Sequence, residues 1–310
     1  MKLTLIAAML CSAAPPALAV EQADVVATYA DIAEATYGDS LTTARTLQVA
    51  VEALITSPSD ESMAAAKAAW LAARVPYQKS EAFRFGNAIV DDWEGRVNAW
   101  PLDEGLIDYV DAAYGGATEE NAFAGLNVIA TPKFALSGTE IDATAITPEL
   151  ISGTLQETDG IESNVASGYH AIEFLLWGRD LNGTGPGSGA RPFTDYAIGA
   201  DCTGGNCDRR AAYLQSATAL LVTYLDYMAG AWGAEGDARK AVTTDPAAGL
   251  SAMLTGMGSL SYGEQAGERM KLGLMLNDPE EEHDCFSDNT YNSHFYDGLG
   301  VQNVNLGRTG

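Results

Sequence analysis

Basic side chains are scarce in this chain. Seventeen Lys and Arg stand against 42 Asp and Glu, a formal charge of −25. Such a surface repels polyanions and lacks the cations with which proteins displace DNA counterions or meet anionic lipid, so nucleic acids and acidic membranes are poor partners. Solubility and the attraction of cations are what the charge favours. Histidine is rarer still: His170, His283 and His294 are all there are, which leaves an imidazole-based site few choices. No His-Glu-x-x-His helix signature of a zinc peptidase, no Gly-x-Ser-x-Gly nucleophile elbow and no glycine-rich phosphate loop occurs. Beyond the N-terminus no stretch reaches the roughly 18 apolar residues of a membrane span; even Ala219 to Met228 contains Asp226.

Alternating β patterns are nearly absent too, and what is present reads as helix. Hydrophobic residues at 47% and charged residues at 19% describe a globular chain with a sizeable core. Val25, Tyr29 and Ile32, then Leu47, Val51, Leu54 and Ile55, recur at helical spacing on either side of Gly38, as one long helix or two shorter ones. Ser59 before Asp60 and Glu61 is an N-cap, and Met63, Ala66, Trp70, Ala73 and Tyr77 form a stripe that Pro76 is expected to kink. Thr147-Pro148 opens a further helix, Glu162 to Trp177 another, and Arg209 to Trp232 is the most helix-like run of all. Leu250 to Leu260 and a helix opened by Ser261-Tyr262-Gly263-Glu264 follow. With no fixed repeat, these segments imply an all-α protein of two tandem bundles, 20–160 and 161–310, divided near Gly160. Gly298, Gly300, Gly307 and Gly310 suggest that the end of the chain does not complete a helix and that the second bundle is truncated.

The first 19 residues have the charged, apolar and small-residue parts of a secretory signal ending at Ala19. Leu10 is too bulky a neighbour for Cys11 to be a lipidation site, so a soluble exported protein, periplasmic or in the cell envelope, is expected. Of the other cysteines, Cys202 and Cys207 flank a short glycine-rich loop and favour a local disulfide, leaving Cys285 over.

His170 and Glu173 are the residues most able to do chemistry. One helical turn apart, both can address a single ion. Their neighbours Val165, Ile172, Phe174, Leu175, Leu176 and Trp177 are apolar, so the carboxylate needs compensation, either from a metal or from the imidazole in a buried polar pair. A third ligand must come from elsewhere. Glu81, beyond Pro76, is the leading candidate, although an exposed Glu81–Arg84 charge pair is the plainer reading. Asp103, Glu104, Glu264 and Glu268 follow, and His283, Asp288 and His294 fall in one polar stretch that reads as loop surface or a second site.

The segment Gly168-Tyr169-His170-Ala171-Ile172-Glu173-Phe174-Leu175-Leu176-Trp177-Gly178 resembles the Gly-x-His-x-x-Glu motif region of the imelysin-like family, which includes the insulin-cleaving membrane protease and iron-regulated protein A. Pro76 to Gly86, Asn98 to Glu104, Ser261 to Met270 and Glu282 to Thr290 are similar to it as well. The resemblance implies an exported protein of two related helical bundles, the His/Glu motif near their junction, and a link to iron acquisition. It therefore implies iron, or an iron-containing small ligand, held at His170, Glu173 and Glu81 and passed to a membrane transport component. Zinc-dependent peptidase action at the same site is the alternative the family also offers. It needs an open coordination position and a free base, and Glu173 cannot be both ligand and base. A thiol nucleophile would have to pair Cys285 with His283 or His294.

Overall fold

The computed structural model describes residues 20–277 and 281–309; the leader read at residues 1–19 lies outside them. The fold is all-α. Helix α1 (Gln22–Thr56) is one continuous helix of 35 residues, with Thr36 and Ser40 bonding back to carbonyls one turn earlier. Ser59 and Ser62 form a reciprocal capping box at the start of α2 (Asp60–Ser80), which runs through Pro76 for another turn. Helix α3 (Ala88–Glu94) follows. A two-stranded antiparallel hairpin, β1 (Lys133–Leu136) and β2 (Thr139–Asp142), is the one departure among the described residues from the expected near-absence of β structure. Then come α4 (Pro148–Leu150), which runs on into a π turn, α5 (Gly168–Trp177), α6 (Cys207–Trp232), α7 (Asp237–Thr243) and α8 (Pro246–Gly258). A π-helical segment, Ser259–Lys271, leads to α9 (Leu272–Leu276), and α10 (Thr290–Leu306) closes the order.

Helix α1 packs along both α2 and α6, and one contiguous core extends from Val26 to Val304. Its aromatic centre joins α1 to its neighbours: Tyr29 meets Phe83 at 5.1 Å and Trp232 at 5.9 Å, and Tyr37 meets Trp93 edge-on at 5.9 Å. Pairs of this kind add about 0.5–1.5 kcal/mol each beyond the area they bury.

Three expectations are corrected. The helix read from Glu162 begins at Gly168, because Gly168 has φ +87°, a conformation incompatible with a helix running through it. Residues Ser261–Glu264 do not cap a new helix but lie inside the π-helical run. Gly298 and Gly300 belong to α10; a Cβ at Gly300 would sit 2.4 Å from the Lys79 carbonyl, so this glycine lets α10 lie directly on α2 instead of marking a frayed end. Cys202 and Cys207 are disulfide-bonded as expected, and Cys285 is buried outside that bond. No helix among the described residues is long and apolar enough to cross a membrane.

Candidate metal centre

Helix α5 has no solvent-facing side: each of its ten residues is buried. Its entry explains why the motif begins with glycine. At Gly168 a Cβ would lie 2.5 Å from the Val97 carbonyl oxygen, and the next amide, Tyr169 N, donates to that same oxygen at 2.7 Å. The absence of a side chain thus brings the 97–100 segment against the first turn of α5, and with it Asn98 and Trp100. From α2 come Arg74 and Gln78, from the 283–287 segment His283, Asp284 and Ser287, and from α10 Ser293.

His170, Glu173, His283 and Asp284 converge here, all but sealed from solvent. Donor atoms of His170, His283 and Asp284 lie within 4.8 Å of one another. The two imidazoles meet edge-to-face with ring centroids 4.8 Å apart, and Trp100 covers His170 at 5.0 Å. His170 Nδ1 lies 3.2 Å from Glu173 Oε2 and 4.0 Å from Asp284 Oδ1. Glu173 Oε1 accepts from Ser287 N at 2.8 Å and Ser287 Oγ at 2.6 Å. Arg74 grips Asp284 through Nη2 at 2.6 Å and Nε at 3.2 Å, and donates to Asn98 Oδ1 at 2.7 Å.

Burial, followed by the charges of Arg74 and Arg269, pushes His170 well below the usual imidazole range. Burial and then Arg269 do the same to His283. Burial and the neighbouring Asp284 push Glu173 well above the ordinary carboxyl range, with Ser287 and Arg74 opposing. The His170–Glu173 contact is a hydrogen bond at 3.2 Å, and burial works against the charged form of both partners. The neighbours of His283 assign its tautomer. Arg74 and Gln78, at 3.5 and 3.4 Å from Nδ1, and Asn98 Nδ2, 3.5 Å from Nε2, can only donate. The Ser293 hydroxyl, 2.9 Å from Nδ1, accepts from Gln78 Nε2, so its own proton is free to go to the imidazole. With three donors gathered on Nδ1 and one long contact from Asn98 at Nε2, Nδ1 is the accepting nitrogen.

The residues fit a bound cation on one further observation. His170 Nε2 is buried with no hydrogen-bond partner, an arrangement that costs on the order of 1–3 kcal/mol unless something occupies the position. Two neutral imidazoles and adjacent carboxylates are a donor set for a borderline divalent ion. Glu173, on the opposite ring nitrogen, has the place of the carboxylate that orients a metal-bound histidine.

The structure brings His170 and Glu173 together as the sequence implied, but sets Glu81 in a neighbouring cluster. Glu81 is neither exposed nor paired with Arg84: its Oε2 accepts from Arg269 Nη2 at 2.9 Å, and Arg269 also holds Asp297 at 2.9 Å. His283 is in the centre and not on a loop surface. Asp288 accepts from Gly187 N at 2.8 Å, and His294 lies outside the group. Asp103 accepts from Ser163 at 2.6 Å and Glu104 from Arg179 at 3.3 Å, both tying loops together. Asp284, Arg74, Asn98 and Ser293 were not singled out from sequence; the scarcity of histidine and the His283-Asp284 dipeptide were the available signals.

An all-helical scaffold with a buried His/carboxylate centre defines the class. The chain belongs to the imelysin family (peptidase M75), whose family model matches residues 33–310. Among solved structures it is similar to an iron-regulated protein A precursor from Parabacteroides distasonis, at 20% identity and TM-score 0.64, over 95% of this chain and 76% of that one. That likeness is one of fold. The comparison with curated proteins gave no match.

Proposed function

We propose that the protein is an exported metal-binding protein of iron acquisition, holding a divalent cation, iron foremost, through His170, His283 and Asp284 with Glu173 orienting His170. The observation that carries this reading is a fully buried imidazole with a partnerless Nε2, whose ring lies 4.8 Å from a second imidazole and whose Nδ1 lies 3.2 and 4.0 Å from two carboxylates. Iron is favoured over other borderline ions by family membership and by the description of the similar structure as iron-regulated. A leader at residues 1–19 and delivery to a membrane transport component belong to the same reading.

In the loaded centre the two imidazoles and Asp284 would supply the donor atoms, and the ion would offset the carboxylate charge that burial makes costly. Glu173 would accept Nδ1–H of His170 while Ser287 N and Oγ steady its other oxygen. Arg74 keeps Asp284 in place. A peptidase acting here would need a base free to take a proton from water, and Glu173 is engaged on both oxygens; metal retention accounts for the geometry with fewer parts.

Elemental analysis of protein purified without metal affinity steps tests the proposal, wild type beside His170→Gln and His283→Gln. About one equivalent of bound metal in the wild type, lost in both variants while circular dichroism and cooperative unfolding persist, is the expected result. Equal metal in all three would overturn it. Chelator-sensitive cleavage of an unfolded protein by the wild type alone would favour the peptidase reading.

A further inference from the structure

A cleft of about 460 Å³ ends on the metal centre: His283 and Asn98 form part of its wall. Six glutamates line it, Glu157, Glu162 and Glu268 among them, against two arginines. Neither arginine offers unmatched positive charge. Arg84 is engaged by Asp91 at 2.9 Å and Glu94 at 3.4 Å, and Arg269 by Glu81, Asp297 and Glu264 at 2.9, 2.9 and 3.1 Å. The field in the cleft is therefore negative, and a low-dielectric wall focuses it.

One polar group of the wall ties the cleft to the centre: His283, 2% exposed, has only the 3.5 Å contact from Asn98 Nδ2 at its Nε2. A carboxylate ligand would face the six glutamates, whereas water molecules in the shell of a cation donate to them. Six waters of hydration, at about 30 Å³ each, occupy less than half of the cleft.

We infer that this cleft admits the metal as a free hydrated cation and rejects anionic chelates, so that the substrate of the centre is the aqua ion and not a carboxylate-bound complex. The inference rests on the metal centre proposed above and adds the form in which the ion arrives. Glu157, Glu162 and Glu268 are exposed on the cleft wall and outside the centre, so their role is capture, felt in the association rate.

Stopped-flow uptake of Co²⁺ by the full mature chain tests this, wild type beside the triple variant Glu157→Gln/Glu162→Gln/Glu268→Gln, at low and high salt, with and without citrate. In the triple variant the association rate should fall about tenfold at low salt and converge on wild type at high salt. Stoichiometry and dissociation rate should be unchanged, with circular dichroism confirming the fold. Cobalt held by citrate should enter no faster than citrate releases it. Identical rates in wild type and variant, loss of stoichiometry in the variant, or direct uptake of the citrate complex would each overturn the inference. A wild type that takes up no Co²⁺ would overturn the metal centre itself, and the cleft reading with it.

Discussion

At the scale of single residues, two glycines show how the same amino acid serves opposite ends. Gly168 has φ +87° and would drive a Cβ to within 2.5 Å of a backbone oxygen, whereas Gly38, inside α1, has nothing within 4 Å of a Cβ position. Gly168→Ala should therefore destabilise the protein by more than about 2 kcal/mol, since both strain and a backbone clash must be relieved. Gly38→Ala should stabilise it by about 0.5–1 kcal/mol. Urea unfolding of the two variants checks both signs. The His170–Glu173 pair was legible in the sequence because its spacing is local. The rest of the centre was not, because Arg74 meets Asp284 across 210 positions and no periodicity reports such a distance. Glu81 shows the limit of composition: its chemistry suits a metal, but Arg269 already neutralises it.

At the scale of elements, α3 carries a titratable group that ties stability to pH. Burial, then the charge of Glu81, pushes Glu94 up to about 7, with Arg84 opposing. Because the folded value exceeds the unfolded one, near 4.5, the folded state binds the proton more tightly. Its contribution is complete below about pH 4.5 and is lost as pH rises through 7, a change on the order of 3 kcal/mol. Glu94→Gln keeps an acceptor for Asn98 Nδ2 and removes the charge. Thermal unfolding should show the variant gaining on wild type at pH 8.5 and matching it at pH 4.5; a gain of equal size at both would contradict the account. Helices α1, α2 and α6 were readable from their stripes, since each has one face in the core. The start of α5 and the course of α10 were not. A helix buried all round has no stripe, and glycines that permit close packing look the same in sequence as glycines that end helices.

For the whole molecule, a charge of −25 spread over one compact body means self-repulsion. Raising NaCl from about 10 to 300 mM, which shortens the screening length from about 30 to under 10 Å, should raise the melting temperature by a few degrees in metal-free protein. A smaller rise is expected with the cation bound, because the ion removes part of the repulsion at its source. Differential scanning calorimetry of both forms separates the two contributions. The helical class and the placing of the motif in a buried helix were both legible at this scale from composition and pattern. The hairpin at 133–142 escaped because four-residue strands give too short an alternation to register.

The sequence distance between Arg74 and Asp284 also fixes an order of events. A centre whose parts come from the second helix, the fifth, and the segment before the last cannot exist on a growing or unfolded chain. The metal proposed for this centre would therefore be acquired only once folding has finished, and a chain exported unfolded would arrive empty and be filled at its destination.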